Sequence, residues 1–379
     1  MYRKLSVLCA IILLAAAAPN HARAETGKSF EIKGDQGGTL RASTIMKFRR
    51  PWAMSFLPDG KLLVTTKSGD LYLATQDGAK TKVSGMWEVS TGGQGGLGDV
   101  VLHPDFANTR QIYISYVEDS ADGSRHGAAV VRATLDLTGD GPRLTNIERI
   151  WAQSPKSSGR RHFGHRIAFG PDGKLFISSG DRGSRDRVQK FDNTFGKVIR
   201  LNADGSLPTG NPWQDKGELA KTFWSTGHRN PLGLTFDGKG RLWSNEMGPR
   251  HGDELNVVVG GKNYGWPRVS NGRHYSGKDI PDHDTAPEFE PPKAFWVPAI
   301  SPSSLMIYTG DLFPEWKGDA FIGALSGRAL VHVNIEGDRA REANRFDWGK
   351  RIREVEQGPD GAIWVLEDGS SGRLLKLTP

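Results

Sequence analysis

The chain has 379 residues, 37% of them hydrophobic, with 50 Lys and Arg against 43 Asp and Glu and a formal charge of +7. That composition is too polar for a multi-span membrane protein, and too apolar and evenly charged for a disordered polyelectrolyte. Its basic residues are interleaved with acidic ones rather than gathered in runs, so no nucleic-acid footprint is expected.

At the N-terminus, Arg3 and Lys4 precede an apolar run over residues 5–18, and Ala22-Arg23-Ala24 supplies small residues for a cleavage site. Residues 1–24 thus read as a secretory signal peptide, with export to the periplasm expected. The apolar run falls short of the roughly 18 residues a span needs, so no membrane span is expected in the mature chain. The one cysteine, Cys9, lies in this segment. Residues 25–379, expected to form a single domain, therefore hold no thiol, which excludes disulfides, thiolate nucleophiles and Cys-based zinc sites.

Further along, one unit recurs: a short apolar strand, a turn built on Pro-Asp-Gly or a relative, and a second apolar strand. Ala53-Met54-Ser55-Phe56-Leu57 runs through Pro58-Asp59-Gly60 into Leu62-Leu63-Val64. Copies follow with turn aspartates at 105, 172, 237 and 360, and the last interval is about twice the others. A degenerate copy fills it, Ser304-Leu305-Met306-Ile307-Tyr308 followed by Asp319-Ala320-Phe321-Ile322-Gly323. Six units, each too small to bury both faces of its own sheet, point to an all-β, six-bladed β-propeller. The chain end, Leu374-Leu375-Lys376-Leu377, is strand-like, so residues 30–46 are expected to close the ring by pairing with the last blade.

Propellers carry ligands on the loops at the channel mouth, so long polar glycine-rich connections are the places to seek chemistry. Four stand out: residues 92–98 with Gln94, residues 160–166 with His162 and His165 among three arginines, residues 227–231 with Arg229 and Asn230, and residues 245–256. Singly, each has a bland explanation: backbone geometry, a solvated basic face, or blade-bridging ions. Together, arginines and histidine on channel-side loops suit a ligand with several carboxylates, because guanidinium binds carboxylate as a bidentate fork. The Gly248-Pro249 step offers carbonyl oxygens to a hard cation, with Asp253 and Glu254 close behind. No EF-hand pattern is present.

These residues resemble the soluble, pyrroloquinoline quinone (PQQ)-dependent aldose sugar dehydrogenases of the glucose/sorbosone dehydrogenase group. The resemblance spans nearly the whole mature chain. It rests on Gly93-Gln94-Gly95-Gly96-Leu97, His162-Phe163-Gly164-His165-Arg166, Gly227-His228-Arg229-Asn230-Pro231, Glu246-Met247-Gly248-Pro249, Lys262-Asn263-Tyr264-Gly265-Trp266-Pro267 and Arg351-Ile352-Arg353-Glu354-Val355. Family members are six-bladed propellers, in agreement with the repeat count.

What the resemblance implies is oxidation of the C1 hydroxyl of an aldose to a lactone, with hydride passing to the quinone. His162 matches the general base and Arg229 a residue beside the quinone oxygens, while Gln94, Asn230 and Tyr275 match cofactor contacts. Arg351 and Arg353 match the pair that holds the cofactor carboxylates. The carbonyls of Gly248 and Pro249 match Ca²⁺ ligands beside the quinone, and Glu254 with the carbonyl of Tyr264 a second calcium site. Three departures bear on substrate and cofactor, one of them His165 in place of a residue that is usually small. Ser326 stands where relatives often have a cofactor-binding lysine, and Arg161 stands where glucose-specific relatives carry aspartate. With no Cys-x-x-Cys-His for haem, electrons would leave to a separate acceptor. A non-redox sugar-binding propeller and a calcium-dependent lactonase-type propeller are the alternatives.

Overall fold

The computed structural model describes residues 27–379, so the expected signal peptide lies outside the described residues. Six antiparallel sheets form a ring of blades. Blade 1 comprises the strands Pro51–Phe56, Leu62–Thr66, Leu71–Ala74 and Lys80–Lys82. Blade 2 comprises Leu97–Leu102, Gln111–Asp119, His126–Asp136 and Arg143–Ala152. Gly164–Phe169, Leu175–Ser179, Lys197–Leu201 and Phe223–Thr226 form blade 3, and Pro231–Phe236, Leu242–Glu246, Asp253–Val257 and Ala294–Trp296 form blade 4. Blade 5 is built from Pro302–Ile307, Ala320–Ala324, Ala329–Glu336 and Arg339–Asp347. Blade 6 joins the two ends of the described chain: Ile352–Gln357, Ile363–Glu367 and Gly372–Thr378 are followed by Thr39–Phe48 and Ser29–Lys33.

The expected ring closure is present, with Phe48 opposite Gly372 and Arg41 opposite Thr378. All six copies read from the sequence are the first two strands of a blade. Their turn aspartates act on the backbone, since Asp59, Asp172, Asp237 and Asp360 each accept the N–H two residues on, which fixes the turn.

Burial falls from the axis outward. Pro302–Ile307 is buried throughout, whereas Lys80–Lys82 at the rim is exposed. The core is correspondingly divided into layers between neighbouring blades. One layer packs Leu63, Leu71, Leu97 and Ile114 of blades 1 and 2, and another packs Met306, Phe321, Ile352 and Val365 of blades 5 and 6.

Because every blade begins on its axial strand and its first turn is the Pro-Asp-Gly type, all such turns lie on one face. Connections between blades, and those between second and third strands, lie on the other. Each of the six axial strands has a register irregularity near its start, at that second face. Such bulges re-aim side chains. All four chemistry-bearing loops converge on this face.

Arg166 ties the ring together at its axis. From blade 3 it reaches Asp99 of blade 2 at 3.3 Å, Glu354 of blade 6 at 2.6 Å, and the carbonyls of Leu232 and Ser303 in blades 4 and 5. Its guanidinium also lies 4.2 Å from the ring centre of Trp52 in blade 1. One buried side chain thus touches all five other blades, so Arg166 is not part of a solvated basic face, whereas Arg160 and Arg161 are exposed.

Candidate active site

Two adjoining cavities open on the loop-bearing face, of about 410 and 710 Å³. The smaller is lined by Arg50, Lys67, Arg351 and Arg353, with Asp368 as its only carboxylate, together with Gln94, Asn230, Trp52 and His165. The larger is lined by His162, Asp181, Arg229, Pro249, Trp266 and Tyr275, with further cations at its outer edge. Gln94 links them: its Oε1, from the smaller cavity, accepts the backbone N–H of His162 at 2.6 Å.

His162 sits in the left-handed region at φ +50°, as does His165 at φ +63°. Non-glycine residues there are uncommon and cluster at functional sites. The glycines nearby make room for them: a Cβ on Gly98 would overlap the His165 ring at Cε1, and one on Gly180 would overlap the carbonyl oxygen of His162.

The two histidines sit in different surroundings. His165 is buried, stacks on Trp52 at 5.0 Å and meets Ser115 Oγ through Nδ1 at 2.7 Å. Burial, helped by the charges of Arg166 and Arg182, pushes its pKa down to about 3, so it stays neutral. His162 Nδ1 instead lies 2.7 Å from Asp181 Oδ1. That carboxylate also accepts Gly183 N–H at 2.6 Å and Trp266 Nε1–H at 2.8 Å. Burial alone would raise the Asp181 pKa, but its bonds to His162 and Gly183 and the charge of Arg229 hold it below the ordinary carboxylate range. An ionised Asp181 keeps the imidazole proton on Nδ1 and leaves Nε2 as the basic atom. Burial, followed by Arg229 and Arg161 against the opposing pull of Asp181, lowers the His162 pKa from its usual value.

Arg229 is placed by its neighbours. His228 is buried between Ser225 Oγ at 2.8 Å and Glu246 Oε1 at 3.0 Å, and Glu246 Oε2 accepts Arg229 N–H at 2.5 Å. The Arg229 guanidinium donates to the Met247 carbonyl at 2.9 Å and lies 5.4 Å from the Trp266 ring centre. Asn230 Oδ1 is buried without a hydrogen-bond partner among the described residues. Tyr275 lies at the outer rim of the same cavity, 72% exposed.

In the smaller cavity, Arg351 Nε and Arg353 Nη2 share one oxygen of Asp368, at 2.8 and 3.3 Å. Among the described residues the buried Nε of Arg353 has no hydrogen-bond partner. Ser326 is exposed and bonded to Ser301 Oγ at 2.7 Å, and neither it nor Arg328, the cation two residues on, lines the cavity. Lys67 and Arg50, from the blade 1 side, do. Sequence reasoning missed both, because Thr66-Lys67-Ser68-Gly69 reads as an ordinary turn. It missed Asp181 as well, though the strand-ending Gly180-Asp181-Arg182-Gly183 carries a signal like that of the other loops.

The Gly248-Pro249 turn is held by Asp253, whose Oδ1 accepts Gly248 N–H at 2.8 Å and whose Oδ2 accepts Ile300 and Ser301 N–H. Among the described residues no donor reaches the carbonyl oxygens of Gly248 or Pro249. Glu254 and Tyr264 line one small cavity behind this turn. Glu254 is bonded to His283 Nε2 at 3.2 Å and Asn256 Nδ2 at 3.1 Å. The Tyr264 hydroxyl donates to the Val257 carbonyl at 2.5 Å. Among the described residues no three or more His, Cys, Asp or Glu side chains are grouped to hold a metal.

The family model described as Glucose / Sorbosone dehydrogenase matches residues 48–376. The chain belongs to this family. This dehydrogenase is 40% identical over 340 residues to aldose sugar dehydrogenase YliI of Escherichia coli, covering 88% of this chain and 91% of that protein. It is 25% identical over 415 residues to quinoprotein glucose dehydrogenase B of Acinetobacter calcoaceticus, covering 88% and 86%. Among solved structures, the apo-form of the soluble E. coli aldose sugar dehydrogenase superposes with a TM-score of 0.83 at 38% identity, covering 90% of this chain and 99% of that one. The PQQ-bound aldose sugar dehydrogenase of Streptomyces coelicolor gives 0.73 at 29% identity, covering 88% and 96%. The chain is thus an oxidoreductase of a quinoprotein family on a six-bladed propeller.

Proposed function

We propose that this dehydrogenase oxidises the C1 hydroxyl of aldose sugars to the lactone, using PQQ and Ca²⁺. The observation that carries this is the His162–Asp181 pair and Arg229 facing one cavity, directly beside a cleft with four cations against one carboxylate.

The residues fit the cofactor. PQQ carries three carboxylates, and the smaller cavity offers Arg50, Lys67, Arg351 and Arg353, including the unpartnered Nε of Arg353. Gln94 and Asn230 Oδ1 supply polar contacts at the join between the cavities. The unengaged carbonyls of Gly248 and Pro249 are hard oxygen donors suited to Ca²⁺, and Tyr275 closes the outer edge. Glu254 and the Tyr264 carbonyl remain the proposed second calcium site. When bound, the quinone accepts the hydride from C1, with the cation polarising it as a Lewis acid.

This chain's own residues do the rest. Asp181 fixes the imidazole so that His162 Nε2 accepts the hydroxyl proton as C1 is oxidised. Arg229 presents a fixed charge where negative charge develops, without reorganising. His165, held neutral against Trp52, shapes the cleft floor. The separate electron acceptor and the export of the chain by residues 1–24 belong to the same proposal. Among the described residues no helix is long and apolar enough to cross a membrane.

Reconstituting the purified protein with PQQ and Ca²⁺ and then adding glucose tests the reading. Sugar-dependent loss of the oxidised cofactor's absorption is expected. Tight cofactor binding with no change on adding any aldose would favour the sugar-binding alternative.

A further inference from the structure

The larger cavity holds more positive charge than the reaction needs. Beyond Arg229, its wall carries Arg161, Arg185 and Lys278. None of these three lies within 4 Å of a carboxylate among the described residues. Some cations elsewhere do find partners, as Arg132 meets Glu148 at 2.6 Å, Arg149 and Lys156 meet Glu118 at 2.9 Å, and Arg200 meets Asp172 at 2.8 Å, while others, such as Lys190 and Arg268, stand single among the described residues; what marks this set is that three line one cavity. The one carboxylate lining this cavity, Asp181, is taken up by His162, Gly183 and Trp266.

Two of the cations are held in place without being neutralised. Arg185 Nη1 donates to His274 Nδ1 at 3.0 Å, a contact that requires an unprotonated ring nitrogen, so the partner fixes the guanidinium and adds no negative charge. Arg161 lies against Gly183, where a Cβ would come within 2.6 Å of its Nε. A glycine in the left-handed region, φ +71°, therefore makes the space that the guanidinium occupies. The cofactor carboxylates have their own cations in the adjoining cleft, which leaves this outer set facing whatever lies beside His162.

We propose that the preferred substrate of this dehydrogenase is an aldose carrying an anionic group, a carboxylate or a phosphate, on the side of the sugar away from C1. The proposal rests on the C1-oxidation reading above. With O1–H directed at His162 Nε2, an anionic substituent elsewhere on the sugar, or on a second sugar linked to it, meets a wall that carries Arg161, Arg185 and Lys278. Guanidinium forks pair such groups in a bidentate manner, and a cavity whose lining is net positive also concentrates anions from solution. A neutral hexose leaves the cations unpaired and gains nothing from them.

The test uses the PQQ- and Ca²⁺-loaded protein and two non-oxidisable probes with C1 blocked, methyl β-D-glucuronide and methyl β-D-glucoside 6-phosphate, each measured by calorimetry against methyl β-D-glucoside. One or both anionic glycosides should bind about tenfold or more tightly at about 20 mM salt, with the advantage shrinking in about 0.5 M salt. The stronger of the two identifies carboxylate or phosphate as the group recognised. Arg161→Gln combined with Arg185→Gln should abolish the preference, whereas Arg149→Gln, on the outermost strand of blade 2, should not. Equal affinity for charged and neutral glycosides, or a preference that survives in the double variant, would overturn the proposal. Oxidation of free glucose at a rate matching free glucuronate and glucose 6-phosphate would overturn it while leaving the C1-oxidation reading intact. Selective anionic binding with no oxidation of any free sugar would instead strike the C1-oxidation reading, and the substrate role with it.

Discussion

His162 Nδ1 and Asp181 Oδ1 stand 2.7 Å apart, joined across 19 residues of chain by the loops that enter and leave the first two strands of blade 3. The pair is buried on the carboxylate side and open on the imidazole side, with side-chain exposures of 2% and 13%. That asymmetry makes the carboxylate an orienting group and leaves Nε2 to meet a substrate.

Asp181→Asn should therefore lower kcat by about two to four orders of magnitude, since an amide can donate to Nδ1 and favour the wrong tautomer. Cofactor affinity should stay within about twofold. A variant that turns over normally would show that Asp181 only supports the loop.

The pH profile follows from the same surroundings. Burial, then Arg229 and Arg161, lower the His162 pKa, while Asp181 pulls it back. A base acts in its neutral form, so kcat/KM should persist as pH falls through the ordinary histidine range and drop only below the lowered pKa. Arg161→Gln removes one like charge and should move this acid limb upward. A limb at or above about 6.5 in the unaltered enzyme would contradict the electrostatic description.

Cofactor retention should depend on the cleft cations rather than on position 326. Lys67→Ala, Arg351→Ala and Arg353→Ala should each weaken PQQ binding by about tenfold or more, the scale of one charge-assisted bond. Titration of the apoprotein at fixed Ca²⁺ reads this directly. Ser326→Lys should tighten binding only if the new side chain reaches past Ser301 into the cleft. Unchanged affinity in all three alanine variants would mean that the carboxylate clamp lies elsewhere.

At the axis, Arg166 meets Asp99 and Glu354, and Glu356 lines the same cavity without an ion pair to it among the described residues. Burial, with Asp99 close by, pushes the Glu356 carboxyl up to about 8. A carboxyl whose folded pKa exceeds its unfolded value binds more protons when folded, so its contribution to stability falls as pH rises from about 4.5 to about 8. Glu356→Gln should remove that loss: its Tm advantage should be near zero at pH 4 and greatest at pH 8. A constant difference across this range would refute the assignment.

Much of the fold was legible because its signals are local. A Pro-Asp-Gly turn and its flanking apolar runs sit within a dozen residues, and the aspartate's bond to the N–H two residues on explains why the pattern repeats. Ring closure was legible as well, from the strand-like composition of both ends. What could not be read was which distant loops meet. Lys67 lies in a short polar turn with no periodicity, and only closure of the ring brings it to Arg353, whereas Asp181 reaches His162 within blade 3 through the pairing of its first two strands. Arg166 looked like one more basic residue in a basic loop, because its burial depends on five other blades.

The most direct measurement is stopped-flow mixing of glucose with the PQQ- and Ca²⁺-loaded protein, unaltered and as His162→Ala, following the oxidised cofactor's absorption. The unaltered protein should lose that absorption, and His162→Ala should do so about 10² to 10⁴ times more slowly with cofactor affinity preserved. Equal rates in the two proteins, or no absorption change with any aldose, would contradict C1 oxidation with His162 as the base.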